Sequence, residues 1–210
     1  MAASPSFHNV SGTVFYVDTN VIDDTSSPAV LLRDFWSTGW ISLMRTDVMD
    51  TELDGAKDPA LWAALTEESA RYPESLGAWV LGHSRLDSTI LGGASDEELH
   101  AEIFAVLKPG VDRWNCRSNH TRDVMHVATA MRYGAKRFVT NDAQMLKRSH
   151  EVAAQFAGFQ ILNPPQAARE AVGAVKGMLS LQLSDPTRHS LPPWPSLEEL
   201  PALESRIEGD

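Results

Sequence analysis

Four acids stand where a carboxylate is costly to bury: Asp18, Glu52, Asp123 and Asp142. Asp18 ends the run Thr13-Val-Phe-Tyr-Val, apolar and β-branched or aromatic, which reads as a buried strand. Asp142 follows Phe138-Val139-Thr140-Asn141 in the same way. Glu52 lies in Thr46-Asp47-Val-Met-Asp50-Thr-Glu52-Leu-Asp54, where Asp47 can cap a helix and Asp50 can close its box. Glu52 instead shares the face of Val48 and Met49, and Asp123 shares that of Val127 and Ala130. Each acid has an ordinary reading too: a turn or cap for Asp18 and Asp142, a snorkelling edge residue for Glu52, a helix-dipole partner for Asp123. Together they point further. Ligands of open α/β sheets sit at the carboxyl ends of the strands. Two of these acids follow buried strands, and two lie early on helices such strands feed, so all four can reach one sheet edge. Gathered carboxylates repel unless a cation neutralises them, and an oxygen-only set suits Mg²⁺ or Mn²⁺.

The elements that must position them alternate. Strands are predicted over 13–18, 40–45, 79–86, 136–140 and 158–162, the last closed by Pro164-Pro165. Helices are predicted over 28–39, 47–54, 59–71, 95–107, 118–133, 141–150 and 166–180. Pro28 suits a first turn, Gly39 and Gly134 suit helix ends, and Ser95 with Glu98 suits a capping box. Small residues Ala128 and Ala130 let the 118–133 helix lie close on a sheet. This order predicts an α/β fold with a mainly parallel sheet. Residues 1–12 read as a loose leader, and residues 184–210, Pro-rich and acidic, as an extended tail.

Net charge is −10, which argues against coating nucleic acid by bulk attraction. The charge is uneven. Residues 108–148 hold nine basic side chains against three acids, two of which belong to the quartet above. A basic surface around an acidic notch suits a phosphodiester. Arg113, Arg117, Arg122 and Lys147 are candidates for gripping phosphates, and His126, one turn from Asp123, for touching substrate. Cys116 is the sole cysteine, so no internal disulfide forms. No signal peptide or membrane-length apolar run is visible, and a cytoplasmic protein is expected.

The motifs Val-Asp18-Thr19-Asn20-Val-Ile, Glu52-Leu53, Asp123-x-x-His-x-Ala-Thr-Ala-x-x-x-Gly134-Ala and Phe-Val-Thr140-Asn141-Asp142 resemble those of PIN-domain ribonucleases. The resemblance covers roughly 13–165. It implies a three-layer α/β/α sandwich with an acidic metal pocket. Asp18, Glu52, Asp123 and Asp142 would be the metal-binding catalytic acids, supported through hydrogen bonds by Asn20 and Thr140. It further implies Mg²⁺- or Mn²⁺-dependent hydrolysis of RNA, a homodimer as a common state, and for some members a toxin role with a protein antitoxin as partner. On this reading a leader covers 1–12, the nuclease domain 13–166, and a C-terminal helix and tail 167–210. The segment 57–95 and the tail lengthen the chain beyond many single-domain members. Two competing readings use the same residues: a non-catalytic RNA- or protein-binding module, and an aspartyl-phosphate phosphotransferase or phosphatase with Asp18 as nucleophile.

Overall fold

Strand β1 (Thr13–Val17) carries Phe15, Tyr16 and Val17, all buried, and Asp18 begins the first helix as soon as the strand ends. The structure is a computed structural model in which residues 9–53, 58–80, 83–84, 89–185 and 190–208 are described. After β1 come α1 (Thr19–Ile22), α2 (Ser27–Ser37), β2 (Ile41–Thr46), α3 (Val48–Leu53), α4 (Pro59–Ser69) and β3 (Glu74–Ser75). Then follow α5 (Ala94–Leu107), α6 (Ser118–Arg132), β4 (Arg137–Val139), α7 (Ala143–Leu146), α8 (Ser149–Gln155), β5 (Gln160–Leu162), α9 (Pro164–Ser184) and α10 (Leu200–Glu208). The strands form one sheet in the order β3-β2-β1-β4-β5. β1 pairs with β4, β4 with β5 and β2 with β3, each in parallel. The fold is therefore α/β around a parallel sheet, in the arrangement of an α/β/α sandwich, as the alternation of elements predicts.

The chain divides into two compact units. One comprises residues 1–15, 24–43 and 163–210, the other 16–23 and 44–162. In the first, α9 packs against α2 and α10, and α10 also against α2. Pro28 sits in the first turn of α2, and Gly39 takes a positive φ of 84° after its end, a conformation open to glycine. Pro164 and Pro165 do not merely close a strand. They open α9, where Asn163 and Gln166 form a reciprocal capping box. The expected extended tail contains α10, which buries Leu200, Leu203 and Ile207. Upstream of it, Trp194 accepts a bond from Trp40 Nε1 at its backbone oxygen and stacks at 5.5 Å on Phe35. Prolines obscure this short helix in the sequence, and its apolar stripe becomes meaningful only beside α9 and α2.

In the second unit, α6 packs on α5, β4 and α3, and α4 lies against α1 and α3. The registers that matter most are Val17 beside Val139 and Thr46 beside Ser75, since they align the strand ends that lead into the acids. Strand β3 has no apolar run to announce it. It is held by its ladder with β2 and by the Arg45–Glu74 ion pair at 2.9 Å. The strand expected over 79–86 falls partly on residues outside those described, as do most of the leader and the end of the 47–54 helix. Among the described residues near it, the pairing is a single parallel bridge, Ala78 to Ile90. Helix α5 starts at Ala94, with Asp96 reaching back to the Gly93 N–H at 2.8 Å, in place of the expected Ser95–Glu98 box. The helix expected over 141–150 is two short ones, α7 and α8.

Candidate metal centre

Asp18 lies just past β1 and is buried. Its Oδ1 accepts the Thr19 N–H at 2.8 Å. Its Oδ2 accepts from Asn20 Nδ2 at 2.8 Å and from Thr140 Oγ1 at 2.5 Å. Asn20 also receives the Asn141 N–H on Oδ1 at 2.9 Å, and Thr140 Oγ1 accepts the Asp142 N–H at the same distance. Asn20 and Thr140 thus join the ends of β1 and β4 through one hydrogen-bond network. Burial pushes the Asp18 carboxyl up, and the negative charge of Glu52 adds to this. The charge of His126 and the bonds from Thr140 and Thr19 only partly offset it.

Glu52 reaches the same place from α3. Of the acids around that helix, Asp47 accepts the Gly77 N–H at 2.9 Å and Asp50 pairs with Arg45, so both are engaged elsewhere. Glu52 accepts a short bond from Thr19 Oγ1 and lies 3.3 Å from His126 Nε2. Burial raises its pKa, but the charge and contact of His126, the Thr19 bond and the charge of Arg122 prevail, and the net shift is downward.

His126, one turn from Asp123, is enclosed. It lies on the buried side of α6 with 1% exposure, its ring 5.8 Å from Phe138. Nδ1 contacts Thr46 Oγ1 at 2.6 Å. Nε2 has no aligned hydrogen-bond partner among the described residues, yet it faces two carboxylates: Glu52 Oε2, and Asp18 Oδ1 at 4.0 Å. A neutral ring with its proton on Nδ1 would turn a lone pair toward that negative charge. Nε2 therefore either carries a proton or faces a metal ion. Without a metal the proton takes that place: burial lowers the His126 pKa, but Glu52 and then Asp18 and Asp123 drive it up to about 9. One ligand atom each from Asp18, Glu52 and His126 lies within 4.8 Å of the others, so the group can hold a metal ion.

The other two acids stand at the margin of this group. Asp123, on α6, is paired with Lys108, whose Nζ donates to Oδ2 at 2.6 Å. Burial raises Asp123, the Lys108 bond and charge lower it, and the charges of Asp142 and Asp18 raise it again, so these acids act on one another electrostatically. Asp142 caps α7, its Oδ1 accepting the N–H groups of Gln144 at 2.6 Å and Met145 at 3.2 Å. Asp142 thus fills the helix-cap role the sequence offers, and it is not among the three residues whose ligand atoms come together.

The basic candidates divide. Arg122 acts on Glu52 electrostatically. Arg113 pairs with Glu97 and lies over the Trp114 ring, Arg117 is exposed at the start of α6, and Lys147 is exposed at the end of α7. Sequence reasoning gave no role to Lys108, Thr19 or Thr46. The only signal for Lys108 was a charge directly after the apolar end of a helix, and for Thr46 its place at a strand end. No helix among the described residues is long and apolar enough to cross a membrane. No protein-family model matches the chain, and no curated protein matches it.

Proposed function

We propose that the protein is a metal-dependent ribonuclease that hydrolyses phosphodiester bonds of single-stranded RNA. The observation that carries this reading is the convergence of Asp18, Glu52 and His126, with a buried imidazole nitrogen aimed at two carboxylates and without an aligned hydrogen bond among the described residues. Asp18 and Glu52 would hold the ion with His126 Nε2, and Asp142 would adjoin it. Asn20, Thr140, Thr19 and Thr46 fix the orientation of these groups, as outer-shell partners do in metal sites. A dication bound there supplies Lewis-acid charge to a phosphodiester and to the attacking water. An imidazole beside two carboxylates favours Mn²⁺ over Mg²⁺, which prefers an oxygen shell.

The basic stretch 108–148 and the resemblance of the four motifs to PIN-domain ribonucleases support RNA as the substrate. The loop between α5 and α6 supports a single strand. Trp114 there is 82% exposed, with the Arg113 guanidinium 4.5 Å from its ring, a pairing suited to stacking an unpaired base beside a phosphate. An aspartyl-phosphate mechanism has less support, because among the described residues Lys108 is paired with Asp123 and not with Asp18. A toxin role with an antitoxin partner belongs to the resemblance alone.

The test is cleavage of a mixed-sequence single-stranded RNA with Mn²⁺, with and without chelator, by the full chain and by Asp18→Asn. Cleavage that needs Mn²⁺ and is lost in the variant is expected. RNA bound but left uncut, with Mn²⁺ taken up, would instead establish a binding module.

A further inference from the structure

Lys108 follows the last residue of α5, and its side chain is 5% exposed. A buried ammonium is costly unless paired, and Lys108 makes one ion pair among the described residues, with Asp123 at 2.6 Å. Asp123 in turn feels the charges of Asp142 and Asp18. The fold therefore sets the Lys108 side chain, at a helix end, on an acid that interacts electrostatically with Asp18 and Asp142.

This placement bears on how many ions the group can hold. A hard dication approaches a carboxylate oxygen at about 2.0–2.1 Å and demands its lone pairs. An ammonium hydrogen already directed at Asp123 Oδ2 competes for them, and two cations on one carboxylate repel. Lys108 cannot easily swing away, because its stem is buried and its backbone is tied to Phe104 by the closing bond of α5. One dication in place of the His126 proton, together with Lys108, offsets three of the four carboxylate charges.

Resting on the metal reading of the site, we propose that Lys108 is an internal cation occupying the place of a second metal ion. The protein is thus a one-ion site in which Asp123 binds lysine rather than metal. Asp123 and Lys108 are then positioning residues, and the ion is held by Asp18, Glu52 and His126.

The experiment is a titration of the full chain with Mn²⁺ at neutral pH, counting bound ions from the electron paramagnetic resonance signal of free Mn²⁺. The wild-type chain should bind one ion. Lys108→Met should bind two, and Lys108→Arg one. Asp123→Asn should still bind one, whereas Asp18→Asn should bind none. The asparagine variants read out ligand roles even if Lys108→Met fails to fold. Two ions on the wild-type chain, or loss of the single ion in Asp123→Asn, would overturn the one-ion assignment and leave the metal reading standing. No uptake by the wild-type chain would overturn both.

Discussion

His126 Nε2 lies 3.3 Å from Glu52 Oε2, in a site where the imidazole is almost wholly enclosed. Glu52 comes from a helix following β2, and His126 from the middle of α6. Their meeting turns a sheet-edge acid cluster into a mixed nitrogen and oxygen site. It also makes the protein's behaviour depend on what sits between them.

In the metal-free protein that occupant is a proton, which gives a pH signature. The folded pKa of His126, about 9, lies above the ordinary value of 6.5, so the folded state binds this proton more tightly than the unfolded chain does. The resulting stabilisation is complete below about pH 6.5 and is lost as pH rises through about 9, a range worth on the order of 3 kcal/mol. Urea midpoints measured in chelator between pH 6 and 9.5 should fall with pH. The fall should flatten in His126→Gln.

Thr46 is not one of the three residues that could hold a metal ion, yet its Oγ1 contacts Nδ1, the His126 nitrogen that does not face the acids. Thr46→Val keeps the shape and removes the oxygen. Loss of such an outer partner weakens metal binding by about 10- to 100-fold. Calorimetric titration with Mn²⁺ should show this loss with the far-ultraviolet circular dichroism unchanged. Equal affinity would mean that the ring is oriented by packing alone.

Trp114 makes a prediction specific to single-stranded substrate. Replacing it with alanine should weaken binding of a short single-stranded RNA by about 1–3 kcal/mol, the worth of one base stacked on an aromatic ring. Binding of an RNA duplex should change little. Fluorescence anisotropy in chelator, where no cleavage occurs, measures both.

The C-terminal segment predicts a stability effect. Leu203 is buried on α10 where that helix meets α9 and α2. Leu203→Ala should cost about 2–5 kcal/mol, as in other buried leucine truncations. A urea midpoint identical to that of the parent chain would argue that α10 contributes nothing to folding.

The sequence by itself determined the class of the fold and the places where acids meet strand ends. Apolar runs such as Thr13–Val17 are local signals, as are Pro28 and Gly39 around α2, and alternation then selects a parallel sheet. Asp18 was legible at the end of such a run, and the resemblance of its motifs added Asn20 and Thr140. Tertiary structure alone decided the partners of each acid. Helical spacing sets Glu52 on an apolar face apart from Asp47 and Asp50 but does not name its partner; the Gly77 amide and Arg45 take those two, and Glu52 is left to His126. Helical spacing gives His126 a face but not what covers it. Lys108 was one charge among nine until the end of α5 met α6 and set its amine on Asp123. Such pairings join residues fifteen to more than a hundred positions apart. They depend on packing distances that no local pattern encodes, because burial makes a charge seek whichever partner the fold brings within reach.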